Sequence, residues 1–290
     1  MNYQNFPEVI SKTLSTLINS LLTSMDSNVF SVLDKIVFLK SSYLFDTYFI
    51  SFFTKKFSII TLSEILIFGF LLYYGAAYLI SFFTSNNFQK PLSFLARLFF
   101  SALLVRYSME LCEKIIDFFE LITEIVKTLG ISMFSFHLSF SVLYERLSNV
   151  FLSDLNNPFG LFSFDGILKT FLSFCFVNLL FTYAVRFIYI KILILVSPLI
   201  CLSICLDQTV WIFKIWLKNF ISLLFVQVII CIILLIIFSL NNMSDPLISK
   251  LLYVGSIICL IRATSFVREF SSGFTSDVTT SFSNIKNLFS

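Results

Sequence analysis

Nine charged side chains lie inside apolar runs of this 290-residue sequence: Glu64, Arg97, Arg106, Glu110, Lys169, Arg186, Lys191, Lys250 and Arg262. At the centre of a membrane-crossing helix each would cost about 2.5–3.5 kcal/mol on insertion scales, and less near the helix ends. A chain therefore keeps such groups where they meet a counter-charge, water or a partner. Arg106 and Glu110 are four residues apart, the spacing at which opposite charges pair on one helix face, so they read as an intramembrane pair. Lys250 and Arg262 fall near the ends of apolar runs and can snorkel to the interface. Arg186 and Lys191 are harder to place, because they sit in the middle of the longest apolar stretch. Two readings stay open for them: a cationic surface facing a wet cavity or an acidic partner helix, or snorkelling at a span end.

Two further groupings carry information. Ser197-Pro198 interrupts the same apolar stretch, and a proline in a helix interior removes one backbone hydrogen bond. The segment TVWIFKIWLKNF, 209–220, gathers Trp211, Lys214, Trp216 and Lys218. Tryptophan favours the membrane interface and lysine the anionic cytoplasmic surface, which gives an interfacial anchor. The alternative is a docking element for a cytoplasmic partner.

Nothing else in the sequence points to catalysis. The single histidine, His137, has no nearby ligand cluster. The seven glycines build no phosphate loop, and no nucleophile elbow or metal-ligand spacing occurs. The six cysteines include no CxxC, and five of them lie in apolar runs, where they read as small hydrophobes. The expectation is a protein that is not an enzyme, with no cofactor, no metal and no catalytic residue.

The elements that must position these residues are written in the hydropathy. The chain is 58% hydrophobic and 13% charged, with a mean hydropathy of +0.93; a soluble domain would carry about 25% charged residues. Phe220–Leu240 has no charge, proline or glycine, and roughly 20 such residues cross a bilayer core. A net charge of +3 is too small to argue for nucleic acid, and the N-terminus lacks the pattern of a secretory signal. Residues 1–57 read as amphipathic helices, one over 8–25 and one near Val29–Leu39. Residues 58–111 read as two spans, Ser58–Phe83 and a second starting at Pro91. Residues 112–162 read as an external amphipathic helix, 113–129, capped by Gly130 and followed by a loop ending in NNPFG. Residues 163–267 read as a core bundle: the stretch Ile167–Leu206 broken at Pro198, the basic aromatic segment 209–220, the span ending at Leu240, and a last span near Leu247–Val267. Residues 268–290 read as a Ser/Thr-rich cytoplasmic tail.

The expected fold class is thus all-α, a polytopic membrane helix bundle. Five spans place Lys90, Lys214, Lys218, Arg268 and Lys286 on one side, which is cytoplasmic by the positive-inside rule. Six spans are the alternative and need a turn near Arg186, where the sequence has no turn chemistry.

The order RFIYIKILILVSPLICLSICL, a short break, then WIFKIWLKNFISLLFVQVIICIILL resembles the TrbL-type polytopic inner-membrane proteins of type IV secretion and conjugation systems. The resemblance rests on Arg186, Ser197, Pro198, Leu199, Phe213, Lys214, Trp216, Leu217 and Gln227. It covers about 185–235; elsewhere only the layout agrees. It implies a multi-pass inner-membrane channel or assembly subunit and a homo-oligomer. The implied partners are other secretion-system membrane subunits, a transfer ATPase and a coupling protein. Nucleic acid enters only as the transported substrate. Two competing readings are a holin- or toxin-like pore former and a secondary transporter. The chain's length and amphipathic segments speak against the first. Against the second stand the absence of an internal repeat and the few glycines and prolines.

Overall fold

The computed structural model describes residues 27–55, 58–84, 91–134, 137–151, 164–206, 208–239 and 246–288, together with Thr13, Thr16 and Ser20. Every element among them is helical: α1 (Ser27–Val37), α2 (Ser41–Leu44), α3 (Thr47–Thr54), α4 (Ile59–Thr84), α5 (Pro91–Arg106), α6 (Ser108–Phe134), α7 (Phe140–Phe151), α8 (Phe164–Cys201), a 3-10 turn (Leu202–Ile204), α9 (Val210–Ser239) and α10 (Pro246–Leu288). Of the stretch 8–25 only Thr13, Thr16 and Ser20 are described, and they are helical. The NNPFG turn, the connection around Lys90 and the loop 241–245 lie outside the described residues.

Among the described residues four helical stretches are long and apolar enough to cross a membrane: Thr47–Ser81, Gly166–Ile204, Val210–Ser239 and Ile248–Glu269. A fifth crossing is reached if α5 and α6, which meet at a 66° bend, count as one. The surface of α4 fits a lipid environment: Leu62, Ile65, Phe68, Leu72, Leu79 and Phe83 are all exposed, whereas soluble proteins rarely show such continuous apolar faces.

The chain forms two compact units. The first comprises Met1–Phe38, Glu120–Phe187 and Phe225–Ser290; the second comprises Leu39–Phe119 and Ile188–Leu224. Helices α6, α8 and α9 each contribute to both.

In the first unit α1 is a core element. Phe30, Leu33 and Val37 are fully buried with Phe176 and Leu179 of α8, Ile230 and Leu234 of α9, and Ile257 and Leu260 of α10. Phe30 stacks on Tyr144 of α7 at 4.4 Å and meets Phe176 edge-on at 5.3 Å. Tyr183 donates its hydroxyl to the Leu260 carbonyl at 2.6 Å, giving a buried polar atom the partner it needs. In the second unit α4 and α5 run antiparallel. Tyr74 stacks on Phe94 at 3.7 Å, and Glu64 meets Arg106 further along the pair.

Several expectations are corrected. Helix α8 does not break at Pro198 but runs through it to Cys201, and the 3-10 turn Leu202–Ile204 follows. The segment 209–220 is no separate piece; it forms the first turns of α9. Helix α6 does not stop at Gly130 but continues to Phe134. Gly130 is instead a packing site: a Cβ there would lie 2.6 Å from the buried Leu138 side chain. The loop expected after it contains α7, whose Phe140, Leu143 and Leu147 enter the core. The Ser/Thr-rich tail continues α10 as far as Leu288.

Helix α6 has three sectors rather than the two faces of a simple amphipathic helix. Cys112, Ile116, Phe119 and Thr123 are buried, whereas Phe118, Leu121, Ile125, Leu129 and Met133 are exposed. At 100° per residue the acidic row Glu113, Asp117, Glu120 and Glu124 falls between those two sectors.

Candidate functional site

The second unit contains two helix corners, one between α5 and α6 and one between α8 and α9. Both are built from hydroxyl-bearing residues. A helix end leaves carbonyls without intrahelical donors, and in lipid each of these must find a partner within the protein. Pro198 creates one such carbonyl early, at Ile194, by lacking the N–H that would serve it. The Ser197 hydroxyl donates to that carbonyl at 2.7 Å. One residue earlier the Leu193 carbonyl accepts the Trp216 indole N–H from α9 at 3.0 Å.

The end of α8 is treated the same way. Ser203 donates to the Ile200 carbonyl at 2.7 Å. Ser101 of α5 donates to the Cys201 carbonyl at 3.0 Å across a buried contact. Thr209 donates to the Ser203 carbonyl at 2.7 Å, and its backbone N–H donates to Leu206. At the other corner Ser108 serves the Val105 carbonyl at 2.9 Å, and Cys112 lies within hydrogen-bonding reach of Ser197. No charged group is needed to satisfy these breaks. That explains why Ser197-Pro198 does not end the helix: the serine supplies the donor that the proline lacks.

The charged residues singled out from the sequence are dispersed. Arg186 is buried, and its Nη1 donates to the Val37 carbonyl at 3.1 Å, at the last residue of α1. A cation there also meets the negative end of the helix dipole. Lys191 lies in the other unit and pairs with Asp46 at 3.0 Å, with its ammonium 5.3 Å from the Phe49 ring. Each is engaged by the N-terminal segment of its own unit. Arg106 and Glu110 do not pair as expected, because the helix turns at Tyr107 between them and the i,i+4 geometry is lost. Arg106 meets Glu64 at 3.7 Å instead. Glu110 joins Tyr107, Glu113, Phe118, Phe119 and Ile221 around a largely apolar cleft of about 1000 Å³.

The basic aromatic segment also divides. Trp216 is buried, stacked on Phe220 at 5.5 Å with the rings 5° from parallel. Trp211 and Lys214 are exposed and Lys218 is half-buried. Trp216 is therefore part of the interior, and Trp211 with Lys214 is what this segment presents outward.

Two carboxylates were missed by sequence reasoning. Asp46 precedes α3 and accepts the Phe49 N–H at 2.7 Å; that bond and then the Lys191 hydrogen bond hold its carboxyl below the usual range. Its position just ahead of Thr47 is an N-cap signature visible in the sequence. Asp34 of α1 accepts the Phe140 N–H at 2.8 Å, capping α7 from a distant part of the chain. Burial pushes its pKa up, against the pull of the Phe140 and Ser141 N–H groups and Lys127. No local pattern announces a cap 106 residues away.

His137 is exposed between α6 and α7. Among the described residues no group of three or more His, Cys, Asp or Glu is placed to hold a metal ion. All six cysteines are free thiols, five of them buried. No family model, curated protein or solved structure matches the chain.

Proposed function

We propose that the chain is a multi-span inner-membrane subunit of a type IV secretion or conjugative transfer apparatus, acting in its channel or assembly core and without catalytic activity of its own. The observation that carries this reading is the pair of helix corners in the second unit. Hydroxyls satisfy their broken backbone, and they contain Ser197, Pro198, Trp216 and the start of α9, which belong to the stretch that resembles the TrbL-type proteins. Such corners can be submerged in a membrane assembly because they ask nothing of water. The proposed crossings are α4, the bent pair α5–α6, α8, α9 and α10, with α8 descending to a cytoplasmic corner and the 152–163 segment external. The proposed partners are further copies of the chain, other membrane subunits, a transfer ATPase and a coupling protein. The cargo is a protein or a protein–DNA complex.

Exposed Trp211 and Lys214 form the proposed docking face for the cytoplasmic machinery. The double substitution Trp211→Ala with Lys214→Glu should leave membrane abundance unchanged while lowering transfer and co-purification of the ATPase, since a reversed charge puts like charges at a contact. Normal co-purification would remove the docking role. Unchanged transfer after deletion of the whole chain would remove the secretion reading itself.

A further inference from the structure

We infer that Pro198 is a hinge in α8 held shut by two hydrogen-bond donors, Ser197 and Trp216. Proline weakens a helix at the carbonyl four residues earlier, both by omitting an N–H and by pressing its ring against that oxygen. The carbonyls of Leu193 and Ile194 are consecutive, and each receives a side-chain donor, one local and one from the next helix. Ser197 is fully buried and Trp216 nearly so. Water is not at hand to replace either donor: losing Ser197 leaves the Ile194 carbonyl unserved, a costly state in an interior, and losing Trp216 leaves the Leu193 carbonyl with its intrahelical partner alone. Beyond Pro198 only three residues of α8 remain before the 3-10 turn and α9. Bending at the proline therefore moves the corner as a piece, and Trp216 joins the far side of that corner to the near side of the hinge. The stacked Phe220 and the adjacent Phe213, 5.8 Å away, hold the indole in line with its acceptor. Opening the hinge withdraws the indole from Leu193 and frees the first turns of α9.

The device makes a prediction that simple packing does not: Ser197 matters only while residue 198 is proline. An alanine at 198 returns a backbone N–H to Ile194 and makes the serine donor redundant. The inference stands apart from the secretion reading, because its test uses purified full-length protein in detergent and no transfer assay.

The chain has two tryptophans, so Trp211→Phe leaves Trp216 as the only emitter. In that background acrylamide quenching of Trp216 should be low. Adding Ser197→Ala should raise the open fraction about two- to ten-fold, the equivalent of one net hydrogen bond. Adding Pro198→Ala to the serine variant should return quenching to the parental level. An equal effect of Ser197→Ala in both backgrounds, or no effect beside Pro198, would overturn the hinge. If the serine variant fails to accumulate, its membrane level becomes the readout. Pro198→Ala must then restore that level, and failure to do so would overturn the inference as well.

Discussion

Two aspartates of similar appearance in the sequence respond to pH in opposite directions. Asp46 has its carboxyl pKa lowered by the Phe49 N–H and by Lys191. Its contribution to stability is present above the unfolded value of 3.8 and is lost as pH falls through its folded pKa. Asp34 has its pKa raised by burial. Its contribution is full below 3.8 and is lost as pH rises through the folded pKa. Asp34→Asn keeps an acceptor for the Phe140 N–H and removes the buried charge, so at pH 7–8 it should melt no lower than the parent. Asp34→Ala leaves α7 uncapped and should cost about 1 kcal/mol. Thermal melts of both variants at pH 7.5 decide the matter; a lower melting point for the asparagine variant than for the alanine one would reject this account. Arg186 can be tested in the same assay. Replacing it with alanine removes a charged donor from the Val37 carbonyl in a buried site and should cost about 2 kcal/mol. A loss confined to partner binding, with stability intact, would return Arg186 to the cationic-surface reading.

At the scale of elements, legibility followed length. A helix that must cross about 30 Å of hydrocarbon needs roughly 20 apolar residues, and α4, α9 and the apolar part of α10 declare that directly. What the sequence hid were places where tertiary contacts overrule a local signal. Gly130 looks like a cap, but α6 continues past it because the glycine's bare side admits Leu138. Pro198 looks like a stop, but its neighbour Ser197 supplies the missing donor. Arg106 and Glu110 look like a helical pair, but the chain turns at Tyr107 between them. Helix α7 was legible in retrospect: Phe140, Leu143 and Leu147 recur at helical spacing, though serines and a long loop signal surround them. Its place in the core gives a direct check. Leu143→Ala should cost about 3 kcal/mol through the cavity it leaves. Phe118→Ser, on the exposed sector of α6, should change stability by less than about 0.5 kcal/mol in detergent. Equal losses from the two would mean that α6 is covered.

For the whole molecule the testable quantity is sidedness. If α8 descends to a cytoplasmic corner, a reporter active only in the cytoplasm should work when fused after Ser290 and stay silent when inserted near Asn156. The charge bias behind this is the basic start of α9, with Lys214 and Lys218, which the positive-inside rule puts on the cytoplasmic side. The reverse pattern of activity would invert the topology.

The two units are interleaved along the chain: neither is a continuous stretch, and three helices are the joint property of both. For the geneticist this means there is no module to lift out. A truncation between Leu39 and Leu224 removes parts of both bodies, so nested deletions would register one threshold of failure rather than a map of separable roles. Recombination faces the same restriction, since exchanging a segment with another gene would have to replace halves of shared helices in matched register. Such a chain is inherited whole, and the informative genetic experiment on it is the point substitution rather than the deletion.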